Sequence, residues 1–220
     1  MEQATKTTKM VVFDLDTAIL QERFIDVCAK QLNFYQALTL LRQIDKDSVS
    51  LTNRTASFLT GKKSKDLLNI AGSIPLVANL EMAVEQLRNR SYLVGIISDS
   101  YQLIAEYVSK KIKLDFCLAN ELHLQGDYIT GEVSFPSCFQ HTAESSCGHR
   151  VCKTNALRWL SNRYNVPFEN CIVVGDPDAD ACMINHVGLS IPFDHSNEPL
   201  TSVAKNQFAE RMIKVLLNCA

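Results

Sequence analysis

The sequence predicts an α/β fold in which a parallel sheet carries helices on both faces. Apolar strand-like runs alternate with amphipathic helical segments along most of the 220 residues. With 46% hydrophobic and 21% charged residues, the composition is that of a globular protein with a core. A helical block interrupts the alternation after the first strand. We therefore predict a core domain of 1–19 and 77–220 and a small helical cap domain of 20–76.

The first strand and the helical block lie before residue 77. The apolar run 11–13 has the character of a buried strand, and it ends at Asp14 and Asp16, two acids one residue apart. Apolar residues with helical spacing, as in 25–32, predict that the block is helical. Its predicted helices span 23–32, 35–44, 51–59 and 65–70.

Helices and strands alternate in the rest of the chain. Gly126 and Asp127 separate two strand-like runs, so we predict a hairpin turn there. Alternation of this kind is typical of a parallel sheet. The remaining predicted elements are helices at 80–87, 101–112 and 155–164, and strands at 92–97, near Phe116, at 171–174 and at 190–191.

Charge and hydropathy argue against several classes of partner. The net charge of −2, with no long basic run, gives no support to a nucleic-acid or anionic-membrane surface. No apolar stretch approaches the roughly 20 residues of a membrane span, and the polar residues 2–9 do not form a secretory signal. We expect a cytoplasmic protein with a small-molecule partner. Its eight cysteines should be thiols or metal ligands rather than a disulfide framework.

Acids and hydroxyls follow three of the predicted strands. Asp14 and Asp16 follow the first strand, Ser98 and Asp99 the second, and Asp176 a later one. Ligands of open parallel sheets bind beyond the carboxyl ends of the strands, so these groups should converge on one crevice. Buried carboxylates are costly unless a cation compensates them, which predicts a metal ion there.

Four groups of residues follow one another along the chain: Asp14-x-Asp16, Ser98, Lys153 and Asp176-x-x-x-Asp180. This ordered set resembles the four motifs of the haloacid dehalogenase (HAD) superfamily. The resemblance is to its phosphoserine phosphatase-like branch, which carries a helical cap between the first and second motifs. It covers nearly the whole chain and implies a Rossmann-like HAD core with the cap inserted after the first strand.

The resemblance implies hydrolysis of a small phosphomonoester. Asp14 would attack phosphorus and form an aspartyl-phosphate, while Asp16 would protonate the leaving group and later deprotonate water. The side chains of Asp14 and Asp176 and the backbone carbonyl of Asp16 would hold Mg²⁺. Asp180 would bind this ion through water or support its ligands.

By the same resemblance, Lys153 and Ser98 would complete the site. Lys153 would place positive charge beside the phosphoryl oxygens, and the Ser98 hydroxyl would donate a hydrogen bond to them.

Three residues near the motifs depart from the family pattern. Ala18 stands where the family usually has threonine or valine. Pro177 replaces the usual glycine of the fourth motif, and Asp178 adds a negative charge beside it.

Cap residues and Asp99 are the predicted substrate contacts. In phosphoserine phosphatases a cap glutamate holds the substrate amine and an arginine holds its carboxylate. Here Arg23 stands at the glutamate position with Glu22 before it, and Arg54 lies near the arginine position. Solvated helix charges are the alternative reading of these cap residues. Because Ser98 precedes Asp99 rather than glycine, the motif also resembles enzymes for phosphohomoserine, methionine salvage and phosphoethanolamine. Phosphoserine is the best single substrate, with these as alternatives.

A second set of candidate metal ligands precedes Lys153. Three thiols and two imidazoles within fifteen residues suit a structural zinc site that would rigidify this loop. A polar surface loop with unrelated thiols is the alternative. The zinc candidates are Cys138, His141, Cys147, His149 and Cys152. The other cysteines are predicted to be core or inert residues: Cys28, Cys117, Cys171, Cys182 and Cys219.

Three other functions share parts of the pattern. A signalling receiver domain also combines clustered acids, a phospho-accepting aspartate, a hydroxyl residue and a lysine. Receivers are much shorter, however, and lack the long helical insertion. A non-catalytic binding protein with the HAD fold is the second alternative, because Ala18 and Pro177 depart from the family pattern. A phosphotransferase would use the same intermediate with an alcohol as acceptor.

Overall fold

The computed structural model describes residues 9–192, 210 and 213–218. The polar segment at 2–8 and Cys219 lie outside these residues. The strands of the described chain are β1 Lys9–Phe13, β2 Tyr92–Tyr101, β3 Phe116–Gln125, β4 Tyr128–Ser134, β5 Cys171–Gly175 and β6 Leu189–Pro192. They form one sheet in the order β4-β3-β2-β1-β5-β6.

The pairing of the strands confirms the predicted α/β class. β1 lies between β2 and β5, and all three are parallel; β3 and β6 extend the parallel sheet on either side. β4 pairs antiparallel with β3 across the predicted turn at Gly126 and Asp127. β2 runs beyond the predicted 92–97 because it pairs again with β3 at Tyr101, after an irregularity that begins at Ile97.

The helices follow the predicted order. Five of them lie between β1 and β2, and the first four form the predicted helical block. The block begins with a short connection after β1 that includes Thr17, a residue with a positive φ of 73°. The helices are α1 Phe24–Gln31, α2 Tyr35–Ile44, α3 Ser48–Ser57, α4 Ser64–Ser73, α5 Leu80–Asn89, α6 Gln102–Ile112, α7 Lys153–Tyr164 and α8 Ala181–Ile184. Among these described helices, none has the length and apolar character needed to cross a membrane.

Two apolar clusters cover the two faces of the sheet. Alternate residues of a strand point to opposite faces, so Met10 and Val12 of β1 belong to one cluster and Val11 and Phe13 to the other. α7 packs on the first face through residues such as Leu160. α5 and α6 pack on the second. Helices therefore cover both faces, as predicted.

The helical block is fastened to the hairpin of β3 and β4. The Gly61 amide donates a hydrogen bond to the Ile129 carbonyl, and the Ile129 amide donates one to the Lys62 carbonyl, both at 2.8 Å. The apolar cluster of the second face also continues into the block through Leu59 and Leu67. These contacts hold α1, α2 and α3 over the carboxyl edge of the sheet, where the first strand ends.

Candidate active site

Asp14 and Asp176 leave neighbouring strands at the same edge of the sheet. Phe13 of β1 pairs with Val174 of β5, and the Asp14 amide donates a hydrogen bond to the Val174 carbonyl at 2.9 Å. Both acids are buried, and both line one cavity. The parallel order of the strands therefore brings together two acids that are 162 positions apart in the sequence.

Lys153 places a buried positive charge among these acids. It is the first residue of α7, and its Nζ atom lies 3.0 Å from Asp14 Oδ1 and 2.9 Å from Asp180 Oδ1. Asp99 Oδ1 is 3.5 Å away on a side chain that is 69% exposed. Burial alone would lower the pKa of Lys153, but the surrounding carboxylates, Asp14 first, raise it well above its ordinary value. The lysine is therefore a permanent cation at this site.

Burial raises the pKa of both acids of the first motif. For Asp14, burial outweighs the lowering effect of Lys153, and the neighbouring carboxylates raise its pKa further. Burial raises the pKa of Asp16 to about 6, although Asp16 Oδ1 accepts a hydrogen bond from the Phe24 amide at 2.8 Å. Because Phe24 begins α1, this bond joins Asp16 to the helical block. A carboxyl group with this pKa can donate and accept a proton near neutral pH.

The loop after β5 is held by its own acids. Asp176 Oδ1 accepts hydrogen bonds from the amides of Asp178 and Ala179 at 2.8 and 3.0 Å. Asp180 Oδ2 accepts one from the Asp176 amide at 2.9 Å. Asp180 also lies directly against Gly175, where an added Cβ atom would collide with its carboxylate. Glycine at position 175 therefore allows the Asp180 carboxylate to approach the backbone.

Ser98 and Ser100 occupy the irregular end of β2. Ser98 is fully buried, and its Oγ atom accepts a hydrogen bond from the Ser100 amide at 3.2 Å. Asp99 and Ser100 line the cavity that contains Asp14, whereas Ser98 is not among its lining residues. Ser98 and Asp99 were predicted from the sequence, whereas Ser100 was not. Its signal was a second hydroxyl two residues further along the strand, which an unbroken strand would direct to the same face.

The helical block forms the opposite wall of this cavity, which we call the catalytic cavity. Arg23, Arg42, Thr52 and Thr55 line it from this side. Arg42 also pairs with Asp26 at 2.7 Å. Arg42 was not predicted from the sequence, although a basic residue directly after a buried apolar position of α2, Leu41, is a weak signal that it borders the interior.

Two predicted substrate residues have partners elsewhere. Glu22 Oε2 lies 3.5 Å from Lys30 Nζ, with both side chains about half exposed. Arg54, whose side chain is 53% exposed, has its Nη1 atom 3.1 Å from Asp45 Oδ2. Neither Glu22 nor Arg54 lines the catalytic cavity. The structure thus places both where the solvated-charge alternative expects them, because each pairs with another residue of the cap instead of facing the cavity.

The donor set at the carboxyl edge fits a magnesium ion. Asp14 and Asp176 offer carboxylate oxygens, and the backbone carbonyl of Asp16 lies in the same loop; hard oxygen ligands of this kind suit Mg²⁺. The site also carries more negative than positive charge, because these acids and Asp180 face Lys153 and the half-exposed Arg23. A divalent cation would offset this excess.

A second cluster of possible metal ligands lies beside α8. Its four ligand atoms all lie within 4.8 Å of one another, and they belong to Cys147, His149, Cys152 and Cys182. Cys182, predicted to be an inert core residue, is part of this cluster, which corrects that prediction. Cys138 and His141 lie outside it. Cys138 packs against the apolar cluster of the first sheet face, and His141 is an exposed loop residue.

Comparisons with known proteins agree with this geometry. A family model described as haloacid dehalogenase-like hydrolase matches residues 147–211, which include the lysine and the acids of the third and fourth motifs. A solved structure described as a phospho-aspartyl intermediate analogue of phosphoserine phosphatase superposes with a TM-score of 0.72 at 20% identity. It covers 85% of this chain and 87% of that one. The chain is therefore similar to haloacid dehalogenase-like hydrolases over this segment, and its fold is that of the solved phosphoserine phosphatase.

Curated relatives align with most of this chain. A phosphoserine phosphatase of Idiomarina loihiensis is 24% identical over 216 residues, which cover 96% of this chain and 92% of that protein. Phosphoserine phosphatase SerB2 of Mycobacterium tuberculosis is 25% identical over 195 residues and 87% of this chain. This chain spans only 45% of the length of SerB2. The similarity therefore extends over the core and the helical block alike.

Proposed function

We propose that this chain is a Mg²⁺-dependent phosphatase that hydrolyses a small phosphomonoester through an aspartyl-phosphate on Asp14. The observation that carries the proposal is the contact between Asp14 and Lys153, 3.0 Å apart and both buried at the carboxyl edge of the sheet. A buried carboxylate beside a fixed cation is oriented for attack, and the cation also attracts a phosphate dianion. The names of the curated relatives support the same reaction class.

Asp14 would act as the nucleophile in two displacement steps. Its carboxylate oxygen forms a bond to phosphorus while the bond from phosphorus to the substrate oxygen breaks, which releases an alcohol. Water then attacks the aspartyl-phosphate, releases inorganic phosphate and restores the Asp14 carboxylate. Mg²⁺, held by Asp14, Asp176 and the Asp16 carbonyl, would neutralise the negative charge of the phosphoryl group.

Asp16 would move the protons of both steps. With a pKa raised to about 6 by burial, the Asp16 carboxyl can protonate the departing alkoxide in the first step. The carboxylate that remains can then remove a proton from the attacking water. Because the same carboxyl accepts a hydrogen bond from the Phe24 amide, the position of α1 would orient this proton donor.

The polar lining of the catalytic cavity favours a small substrate with more than one charged group. Arg42 and Arg23 are the cations of the cap side and can bind a carboxylate or the phosphate. Asp99 keeps its carboxylate ionised, because Lys153 holds its pKa below the ordinary value, and it can bind an ammonium group. Phosphoserine carries all three groups, which makes it our leading substrate. Phosphoethanolamine, without a carboxylate, is the strongest alternative.

Kinetic measurement on defined substrates tests this function. The parent protein should hydrolyse p-nitrophenyl phosphate only with Mg²⁺ present, and Asp14→Asn should be inactive. Within a panel of phosphoserine, phosphothreonine, phosphohomoserine and phosphoethanolamine, phosphoserine should have the highest kcat/KM. Reduction of the acyl phosphate with borohydride during turnover should label Asp14, as read by mass spectrometry of peptides. An Asp14→Asn variant as fast as the parent would exclude the mechanism, and inactivity on every substrate would favour a binding protein.

A further inference from the structure

The cluster of Cys147, His149, Cys152 and Cys182 has the composition of a metal site. His149 Nδ1 lies 3.2 Å from Cys147 Sγ and 3.3 Å from Cys182 Sγ. All four ligand atoms lie within 4.8 Å of one another, and the three cysteines are free thiols. Ligands of a tetrahedral zinc ion lie about 3.5–3.8 Å from one another, given Zn–S and Zn–N lengths of about 2.3 and 2.1 Å. The four side chains are therefore already close to this arrangement.

We propose that these four side chains bind one structural Zn²⁺ ion through three sulfur atoms and His149 Nδ1. His149 Nδ1 is the ligand nitrogen because it contacts two of the three sulfur atoms. Thiolate and imidazole ligands favour zinc over magnesium, whereas the acids of the catalytic cavity favour magnesium. Four protein ligands complete a tetrahedral shell, which is the pattern of structural rather than catalytic zinc sites.

The zinc ion would join two segments that carry catalytic residues. Cys152 directly precedes Lys153 at the start of α7, and Cys182 on α8 lies two residues after Asp180. Lys153 and Asp180 contact each other at 2.9 Å. Zinc and this ion pair would thus fasten the same two segments together. The consequence for catalysis rests on the function proposed above, whereas metal binding itself does not.

Metal analysis of the full chain tests the site directly. Protein purified with reductant and without chelator should contain about one zinc per chain. After zinc removal, Co²⁺ should bind at the same stoichiometry and give the thiolate charge-transfer and ligand-field absorption of a tetrahedral sulfur site. Mg²⁺ in excess should not displace either ion, because it binds at the oxygen ligands of the catalytic cavity.

Single variants identify the ligands. Cys147→Ser, His149→Ala and Cys182→Ser should each weaken zinc binding by more than about 100-fold, because even the outer partners of ligands contribute 10–100-fold. The matched controls are Cys138→Ser and His141→Ala, nearby residues that lie outside the cluster. Both should keep one zinc and the parent cobalt spectrum. If a ligand variant fails to fold, Co²⁺ titration of the zinc-depleted parent still reports the site.

Three results would overturn the proposal. The first is reduced parent protein that binds neither zinc nor cobalt tightly. The second is a disulfide between two of the three cysteines in protein isolated without added oxidant, shown by mass spectrometry. The third is zinc that is retained by His149→Ala and Cys182→Ser but lost by the controls. Loss of phosphatase activity alone decides nothing about zinc, so metal content keeps this proposal separate from the proposed function.

Discussion

The guanidinium of Arg23 lies 3.4 Å from the Oδ2 atom of Asp176, on the side of the carboxylate opposite its backbone donors. This contact joins the residue before α1 to the loop after β5. Asp176 is also the proposed magnesium ligand, so Arg23 and Mg²⁺ would face the same carboxylate. A phosphate bound between Arg23 and Mg²⁺ would instead attract both cations. Arg23 therefore favours binding of the substrate phosphate and disfavours binding of Mg²⁺.

We predict that Arg23→Ala binds Mg²⁺ more tightly but substrate more weakly. Removal of the guanidinium removes a like charge beside the metal ligand, so the Mg²⁺ concentration for half-maximal binding should fall a few-fold; the effect is modest because the Arg23 side chain is 43% exposed. KM for the phosphomonoester should rise. Isothermal titration with Mg²⁺ and steady-state kinetics measure the two effects.

Lys30→Ala is the control for Arg23→Ala. Lys30 belongs to α1, pairs with Glu22, and is 54% exposed, so the variant removes a similar charge away from Asp176. It should leave both constants near the parent values. Weaker magnesium binding in Arg23→Ala would contradict the competition between the two cations.

The convergence of the acids was predictable because it follows from the order of parallel strands. Once the apolar run 11–13 and the strand at 171–174 are recognised, their carboxyl ends must share an edge. The convergence of Asp14 and Asp176 could be predicted without knowledge of how any side chain packs. Lys153 lies outside any strand, and it was found through the resemblance to the HAD motifs rather than through its local sequence.

Residues brought in by helix packing were not predictable. Successive helix residues are rotated by about 100°, so a small error in how a helix faces the cavity exchanges a lining residue for a solvated one. Arg54 was predicted to contact the substrate, but Arg42 is the arginine of α2 and α3 that lines the catalytic cavity. Cys182 was missed for a related reason: its cluster partners lie some 30 residues earlier in the sequence, and only the packing of α8 beside the loop before α7 makes them neighbours.

We predict that Lys153→Met destabilises the protein as well as inactivating it. The variant leaves the buried carboxylates of Asp14 and Asp180 without their cation. Loss of one partner of a buried pair costs on the order of 3 kcal/mol, and loss of a charged contact to the phosphoryl group lowers kcat by at least about 100-fold. Urea unfolding without metal and steady-state kinetics measure these effects.

A second substitution separates charge from packing at Lys153. Adding Asp14→Asn to Lys153→Met removes one unpaired carboxylate, so the double variant should recover part of the lost stability while staying inactive. A double variant less stable than Lys153→Met would show that packing of the lysine, rather than its charge, maintains the fold.

The burial of Asp16 predicts a pH dependence of stability. Its pKa is raised from 3.8 to about 6 in the folded protein, so between these values the folded state binds a proton that the unfolded state does not. This contribution to stability is complete below about pH 4 and is lost as pH rises through about 6. In metal-free buffer, the free energy of unfolding of Asp16→Asn should therefore fall less over this window than that of the parent.

Asp127→Asn is the control for the pH experiment, because Asp127 is an exposed residue of the hairpin turn. Its unfolding free energy should follow the pH dependence of the parent. Identical pH curves for Asp16→Asn and the parent would mean that Asp16 is not the group that takes up the proton.

Arg42 and Arg54 form a matched pair for substrate recognition. Arg42 lines the catalytic cavity, whereas Arg54 pairs with Asp45 outside it. Loss of a charge-assisted contact corresponds to about tenfold in affinity. We predict that Arg42→Ala raises KM for phosphoserine about tenfold with little change for p-nitrophenyl phosphate, and that Arg54→Ala changes neither. Equal effects of Arg42→Ala on both substrates would assign Arg42 to the phosphate instead of the carboxylate.

Gly175→Ala should disturb the catalytic loop through a single contact. The backbone at Gly175 is not in the left-handed region, so alanine is tolerated by the chain itself, but its Cβ atom would collide with the Asp180 carboxylate. Relief of the collision requires Asp180 to move away from Lys153 and from the Asp176 amide. Overpacking of this kind costs about 1–3 kcal/mol. We predict this loss of stability and a lower kcat.

The background variant Asp180→Ala shows whether the collision is the cause. Without the Asp180 carboxylate there is nothing for the added methyl group to strike, so Gly175→Ala should cost little in Asp180→Ala protein. The double-mutant cycle should then give a coupling of at least about 1 kcal/mol between the two positions. If the losses of stability from the two substitutions simply add, Gly175 is required for another reason. The position of the Asp180 carboxylate would then not depend on the lack of a side chain at residue 175.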